Sequence, residues 1–208
     1  MAKSSYSQPS YYFGMPDMYM QMGYYPFPTP SAPEQTPNQV MIPYAMSMSS
    51  HCRYFLGQTE KIDISEGAQG FGALVNPLRS GVQLYVNDWY VSNFSTQAVE
   101  MNIWFGPARS VVGAKASNQI TPGFVQLSPC PAPHGQLLFS SADSARPSNG
   151  SIASTRILPP MTTIGAEKNG HWILSPGTAM MVHVPAQTER ESAEMVFAIG
   201  WWEQPVFG

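Results

Sequence analysis

The chain has 208 residues, with 10 Lys+Arg against 13 Asp+Glu and a formal net charge of −3. Only 11% of residues are charged, where a soluble domain carries about 25%. So little charge argues against an all-helical fold, whose wet faces need Glu, Lys and Arg, and against a nucleic-acid partner, whose phosphates need a basic surface.

The first 50 residues differ from the rest. They hold 7 of the 10 tyrosines, 8 of the 20 prolines and 8 of the 13 methionines. Lys3, Asp17 and Glu34 are their only charges. Tyr11, Tyr12, Phe13, Met15, Met18, Tyr19, Met20 and Met22 cluster, and Tyr24, Tyr25 and Phe27 follow among prolines. Proline at this density stops helices and favours extended backbone. The stretch has no period with which to bury a face of its own. It reads either as a low-complexity tail or as an extended arm that lies on another surface. On the arm reading its anchors are Tyr11, Tyr12, Phe13, Tyr19, Tyr24, Tyr25 and Phe27.

From Tyr54 the pattern changes to period 2. Val82, Leu84 and Val86 alternate with Gln83, Tyr85 and Asn87. Val99, Met101, Ile103 and Phe105 alternate with Glu100, Asn102 and Trp104. Met180, Val182 and Val184 flank Met181 and His183, and Met195, Phe197, Ile199 and Trp201 close the series. This is the signature of strands with one buried face. Asn76-Pro77, Gly106-Pro107, Pro159-Pro160 and Ser175-Pro176-Gly177 mark turns between them. Asn169-Gly170 predicts a hairpin. Helical turns are expected only within 111–116 or 142–146. Eight to ten short strands in about 150 residues predict an all-β, antiparallel, jelly-roll-like sandwich over 54–208, preceded by the extended arm over 1–53.

Chemistry is sparse. His51, His134, His171 and His183 are scattered without ligand spacing, and His183 reads as a surface or partner-facing residue. No nucleophile elbow, phosphate loop or zinc motif occurs, so no catalytic residue, cofactor or metal is expected and the chain is not read as an enzyme. Glu189, Glu191 and Glu194 with Arg190 read as a solvated loop. The sequons at Asn93 and Asn149 read as coincidence. No run approaches a membrane span, and the N-terminus carries no classical signal peptide. Cys52 lies where arm meets domain and Cys130 lies in Pro129-Cys130-Pro131. They are either two unrelated thiols or a staple, within or between subunits.

Several stretches, YFLGQTEK from Tyr54, GALVNP from Gly72, SGV from Ser80, VSNFS from Val91, LPP from Leu158 and IGWWE from Ile199, together resemble a domain-of-unknown-function family of spore-forming Firmicutes. The match runs in pieces over 54–203 and implies no activity. The plan of arm plus jelly roll also resembles the endospore appendage (Ena) fibre subunits, whose N-terminal connector inserts into the next subunit. That resemblance implies a structural, self-assembling homopolymer, extracellular or on the spore surface, with an anchor protein there as a further partner. A closed-oligomer jelly-roll module binding carbohydrate or another surface ligand is the alternative. In it, Trp89, Trp104 and Trp202 would stand exposed for stacking on sugar rings; the same tryptophans read equally as core or interface residues.

Overall fold

The computed structural model describes residues 41–141, 149–186 and 192–206. The arm anchors from Tyr11 to Phe27 and the 142–146 stretch lie outside these residues. The described chain is one helix, α1 (Tyr44–Ser50), and twelve strands. These are β1 (Tyr54–Gln58), β2 (Ile62–Ile64), β3 (Gly70–Val75), β4 (Val82–Asn93), β5 (Val99–Pro107) and β6 (Lys115–Ala116). They continue with β7 (Ile120–Pro122), β8 (Gln136–Ser140), β9 (Ser151–Leu158), β10 (Thr162–Leu174), β11 (Thr178–Val184) and β12 (Ala193–Pro205).

Two antiparallel sheets pack face to face. One runs β10-β4-β12-β1-β7, with β2 paired to the start of β12, and the other runs β6-β8-β3-β11-β5-β9. The long strands β1, β3, β4 and β5 cross from sheet to sheet at each step. The chain then stays in the second sheet for β9 before alternating again through β10, β11 and β12. The cores of the two sheets are thus β1-β12-β4-β10 and β3-β11-β5-β9, the strand order of a jelly roll. β6, β7 and β8 are an insertion that widens both sheets at the β1/β3 side.

The period-2 residues fill the interior. Leu84, Val86, Met101, Ile103, Met180, Val182, Phe197 and Trp201 are all buried between the sheets. Buried side chains of this size each stabilise by about 1.5–3 kcal/mol relative to exposure. β4 shifts phase at Asn87, which has no partner opposite it in β12, so Trp89 and Val91 continue the inward face.

Three expectations need correction. β11 is buried on both faces, not one, and so is its neighbour β3. Phe71, Ala73 and Val75 of β3 with Ala179 and Met181 of β11 form a second core on the outside of the sheet, capped by Ala108, Val111 and Ala114. His183 is therefore interior, 4% exposed, with Nε2 3.2 Å from the Gln69 side-chain oxygen. Asn169-Gly170 makes no hairpin. Both residues have positive φ, 48° and 78°, but they loop out inside the continuous strand β10, between Glu167 paired to Asp88 and Trp172 paired to Val86. The Trp202 indole lies where a Cβ on Gly170 would sit, so the bulge is shaped around that ring. Finally, the helical turn is not in 111–116. A short 3-10 turn occupies Ala108–Ser110, and α1 forms beyond Pro43, within the stretch read as extended arm.

Candidate functional site

The junction of arm and body is built by α1 and residues 123–134. α1 packs on β1 and β12, burying Met48 and setting the Tyr44 ring edge-on to Trp202, 5.6 Å between centroids. The Tyr44 hydroxyl accepts from the Gln204 amide. Just past α1, Cys52 takes φ 56° and forms a disulfide with Cys130 of the same chain, Cα–Cα 5.4 Å. The bond closes 78 residues of sequence and ties the proline-stiffened loop to the root of the arm. Beside it, Glu203 is buried. Its carboxylate accepts from the backbone N–H of His134 and of Gly135, and from Trp201 Nε1, and lies 2.8 Å from His134 Nδ1. The ledge around this staple is apolar and wet: Met41, Ile42, Met46, Val125 and Leu127 are exposed.

The opposite flank of the sandwich is open. Among the described residues β9 pairs only with β5 and β10 only with β4, so each leaves one row of backbone N–H and C=O groups free. Between them lies a cleft of about 560 Å³. Ile103, Ile157, Ile164, Trp89 and Trp172 give it apolar walls, and among the described residues Arg156 and Lys168 supply its only charges. Lys168 Nζ stands 4.3 Å from the centre of the Trp172 ring, a cation–π contact. Trp172 stacks on Trp89 and meets Phe105 edge-on. The buried Trp89 Nε1 has no acceptor among the described residues.

A second concavity, of about 460 Å³, crosses the outer face of the first sheet. Its floor is Ala198 on β12, with Leu56, Gln58, Asp88 and Tyr90 at the sides. Asp88 Oδ2 accepts from Asn87 at 2.8 Å and from the Tyr54 hydroxyl at 3.4 Å. Burial, then the Asp88 charge, pushes the Tyr54 pKa up to about 12. A Cβ at Gly200 would meet that hydroxyl and carboxylate, so glycine keeps this end of the groove open.

The tryptophans do not stand free for sugars. Trp89 and Trp202 are buried, Trp202 stacked on Tyr85, and Trp104 is half-covered in the outer core. Trp89 belongs to the main core between the sheets, and Trp104 to the second layer, which alternation in a sequence cannot reveal. Of the histidines, His51 and His134 line one cavity beside the disulfide. Among the described residues no three His, Cys, Asp or Glu are grouped so as to hold a metal, and no helix is long and apolar enough to cross a membrane. Of the acidic cluster, Glu194 is described, and it pairs with Lys61 at 2.9 Å. Its hydrogen bond and charge raise the Lys61 pKa.

The motif residues act as buried latches. Asn76 donates to the carbonyls of Val82 and Leu174, 2.8 Å each, joining β4 to the end of β10. Asn93 accepts from Ser95 N–H and Oγ and donates to the Gln97 and Pro159 carbonyls. At 2% exposure its amide is closed to glycosylation. Glu203 ends the IGWWE stretch. Each supplies partners that backbone turns would otherwise lack, so these short motifs mark corners of the fold. Neither the curated proteins nor the solved structures contain a match to this chain. A family model does match over residues 32–207, and the chain belongs to that family, a family of unknown function, DUF6143.

Proposed function

We propose that the chain is a structural subunit that assembles with copies of itself, the N-terminal arm of one copy docking on the body of the next. The observation that carries this reading is the open flank. Two unpaired edges facing an apolar cleft are a liability in a monomer, and proteins normally cover them. An extended segment rich in aromatic and thioether side chains is a fitting cover: strand addition satisfies the free backbone groups and pockets take alternate side chains. Arm-to-body contact is heterologous, so copies continue into a filament unless the rotation closes. The exposed ledge around Cys52–Cys130 and the low surface charge support association as well. A disulfide at the surface suits an oxidising location, in line with an extracellular or spore-surface fibre of the kind that the likeness to endospore appendage subunits implies. In this reading the chain is not an enzyme, and an anchor protein at that surface is its second partner.

Negative-stain electron microscopy tests the reading. Wild-type protein is expected as fibres or layers, and a chain lacking residues 1–40 as single particles. Polymers formed without the arm would defeat it. Assembly held by apolar and backbone contacts should change only a few-fold between low and roughly molar NaCl.

A second reading, a binding module, is favoured by the groove beside Asp88 and Tyr90. A carboxylate, the Gln58 and Gln119 amides and an exposed tyrosine ring are groups that hold a polyhydroxyl ligand.

A further inference from the structure

We propose that the cleft between β9 and β10 is the receptor for residues 11–22 of a neighbouring copy; this rests on the arm-docking reading above. Charge selects the occupant. Among the described residues the cleft carries Arg156 and Lys168 and no acid, and neither cation is in an ion pair there. Residues 1–40 carry three charges, Lys3, Asp17 and Glu34. Asp17 sits inside the Tyr/Phe/Met cluster, so one carboxylate is flanked on both sides by side chains suited to Trp172, Ile103, Ile157 and Ile164. The backbone matches too. The free edges of β9 and β10 run 8 and 13 residues, and a twelve-residue extended segment covers about 40 Å. Trp89 lines the cleft with a buried N–H that has no acceptor among the described residues, and an entering strand brings carbonyls. Between residue 22 and α1 at Tyr44 the chain can span about 70 Å, enough to cross from one body to the next.

Two full-length variants test this by sedimentation. The arm variant carries Tyr11→Ser, Tyr12→Ser and Phe13→Ser, and the cleft variant carries Ile157→Glu and Lys168→Glu. Ile157 is 71% exposed and Lys168 is only partly covered, so the cleft variant keeps its core. Each alone is expected to stay monomeric, and an equimolar mixture to give a one-to-one dimer, the intact arm of one chain in the intact cleft of the other. A cleft variant that polymerises like wild type overturns the cleft as receptor while leaving arm docking intact. An arm variant that polymerises overturns arm docking itself. Two monomers that never pair overturn docking between copies. Asp17→Lys alone should raise the critical concentration about two- to fivefold, as an exposed ion pair does, and Lys168→Asp added to it should restore wild-type behaviour; no recovery would overturn the placement of Asp17.

Discussion

The two flanks of this sandwich are made from the same kind of strand and end differently. On the β3/β11 side, the insertion between β5 and β9 widens the sheets, and Ala108, Val111 and Ala114 lie over the outer face of the second one. On the β9/β10 side, nothing among the described residues completes the ladders. The closed flank is a second core and stores stability. The open flank leaves Ile152 and Ile157 in water and stores binding capacity. Where a jelly roll invests in stability and where it leaves surface for a partner are therefore separable by substitution.

The largest contrast pits Phe71 against Ile157. Phe71→Ala empties a fully buried site and should cost about 3–5 kcal/mol in chemical denaturation. Ile157→Ala should cost under about 0.5 kcal/mol yet weaken assembly. Equal losses of stability would erase the distinction between flanks.

Next comes the staple at the arm root. Reducing Cys52–Cys130, or Cys52→Ser, should lower stability by about 2–4 kcal/mol, because a closed loop of this length restricts the unfolded chain. On a non-reducing gel the boiled protein should run as monomer with no free thiol, since the bond lies within one chain. A ladder of oligomers that collapses with reductant would show the bond exchanged between chains. Glu203→Ala, which strands the donors of His134, Gly135 and Trp201 beside it, should cost about 2–3 kcal/mol, read by thermal melting.

Gly170→Ala should cost about 1–3 kcal/mol, from its positive φ and the Trp202 ring in the way. Trp202 fluorescence would shift with it, and an unchanged melt would refute the bulge.

The smallest effect appears only in alkali. Tyr54 has its pKa raised from 10.0 to about 12 in the fold. The neutral phenol is the favoured folded form, so its contribution is whole below pH 10 and is lost as pH climbs from 10 toward 12. Tyr54→Phe should flatten that part of the stability profile.

The long strands could be read from the sequence because burial there is one-sided: β4, β5 and β12 announce themselves by alternation. β11 announced itself too, but its His183 face was misjudged, since period 2 says nothing of what covers the far side. Asn169-Gly170 gave the right dihedrals and the wrong structure, because a hairpin and an outward loop within one strand use the same positive-φ pair. α1 was hidden by the prolines around it and by a sequence, YAMSMSS, without Glu or Lys. Glu203 was unreadable as a latch, since its donors come from residues 134, 135 and 201 and meet only after folding. The open cleft was equally out of reach: residues on β5, β9, β4 and β10 line it, and no local pattern links them.

The disulfide has a mechanical meaning. Tension applied at residue 41 first meets α1, seven residues long and held by little beyond Met48 and Tyr44. Drawn out from helical to extended rise, α1 would lengthen by about 13 Å. Cys52 then stops the travel, because pulling further loads the sulfur bridge and β1, which is hydrogen-bonded along both edges. A compliant turn ahead of a covalent stop is a shock absorber. In single-molecule stretching it should show as a short low-force extension before the body yields, and that two-step trace should lose its stop under reductant.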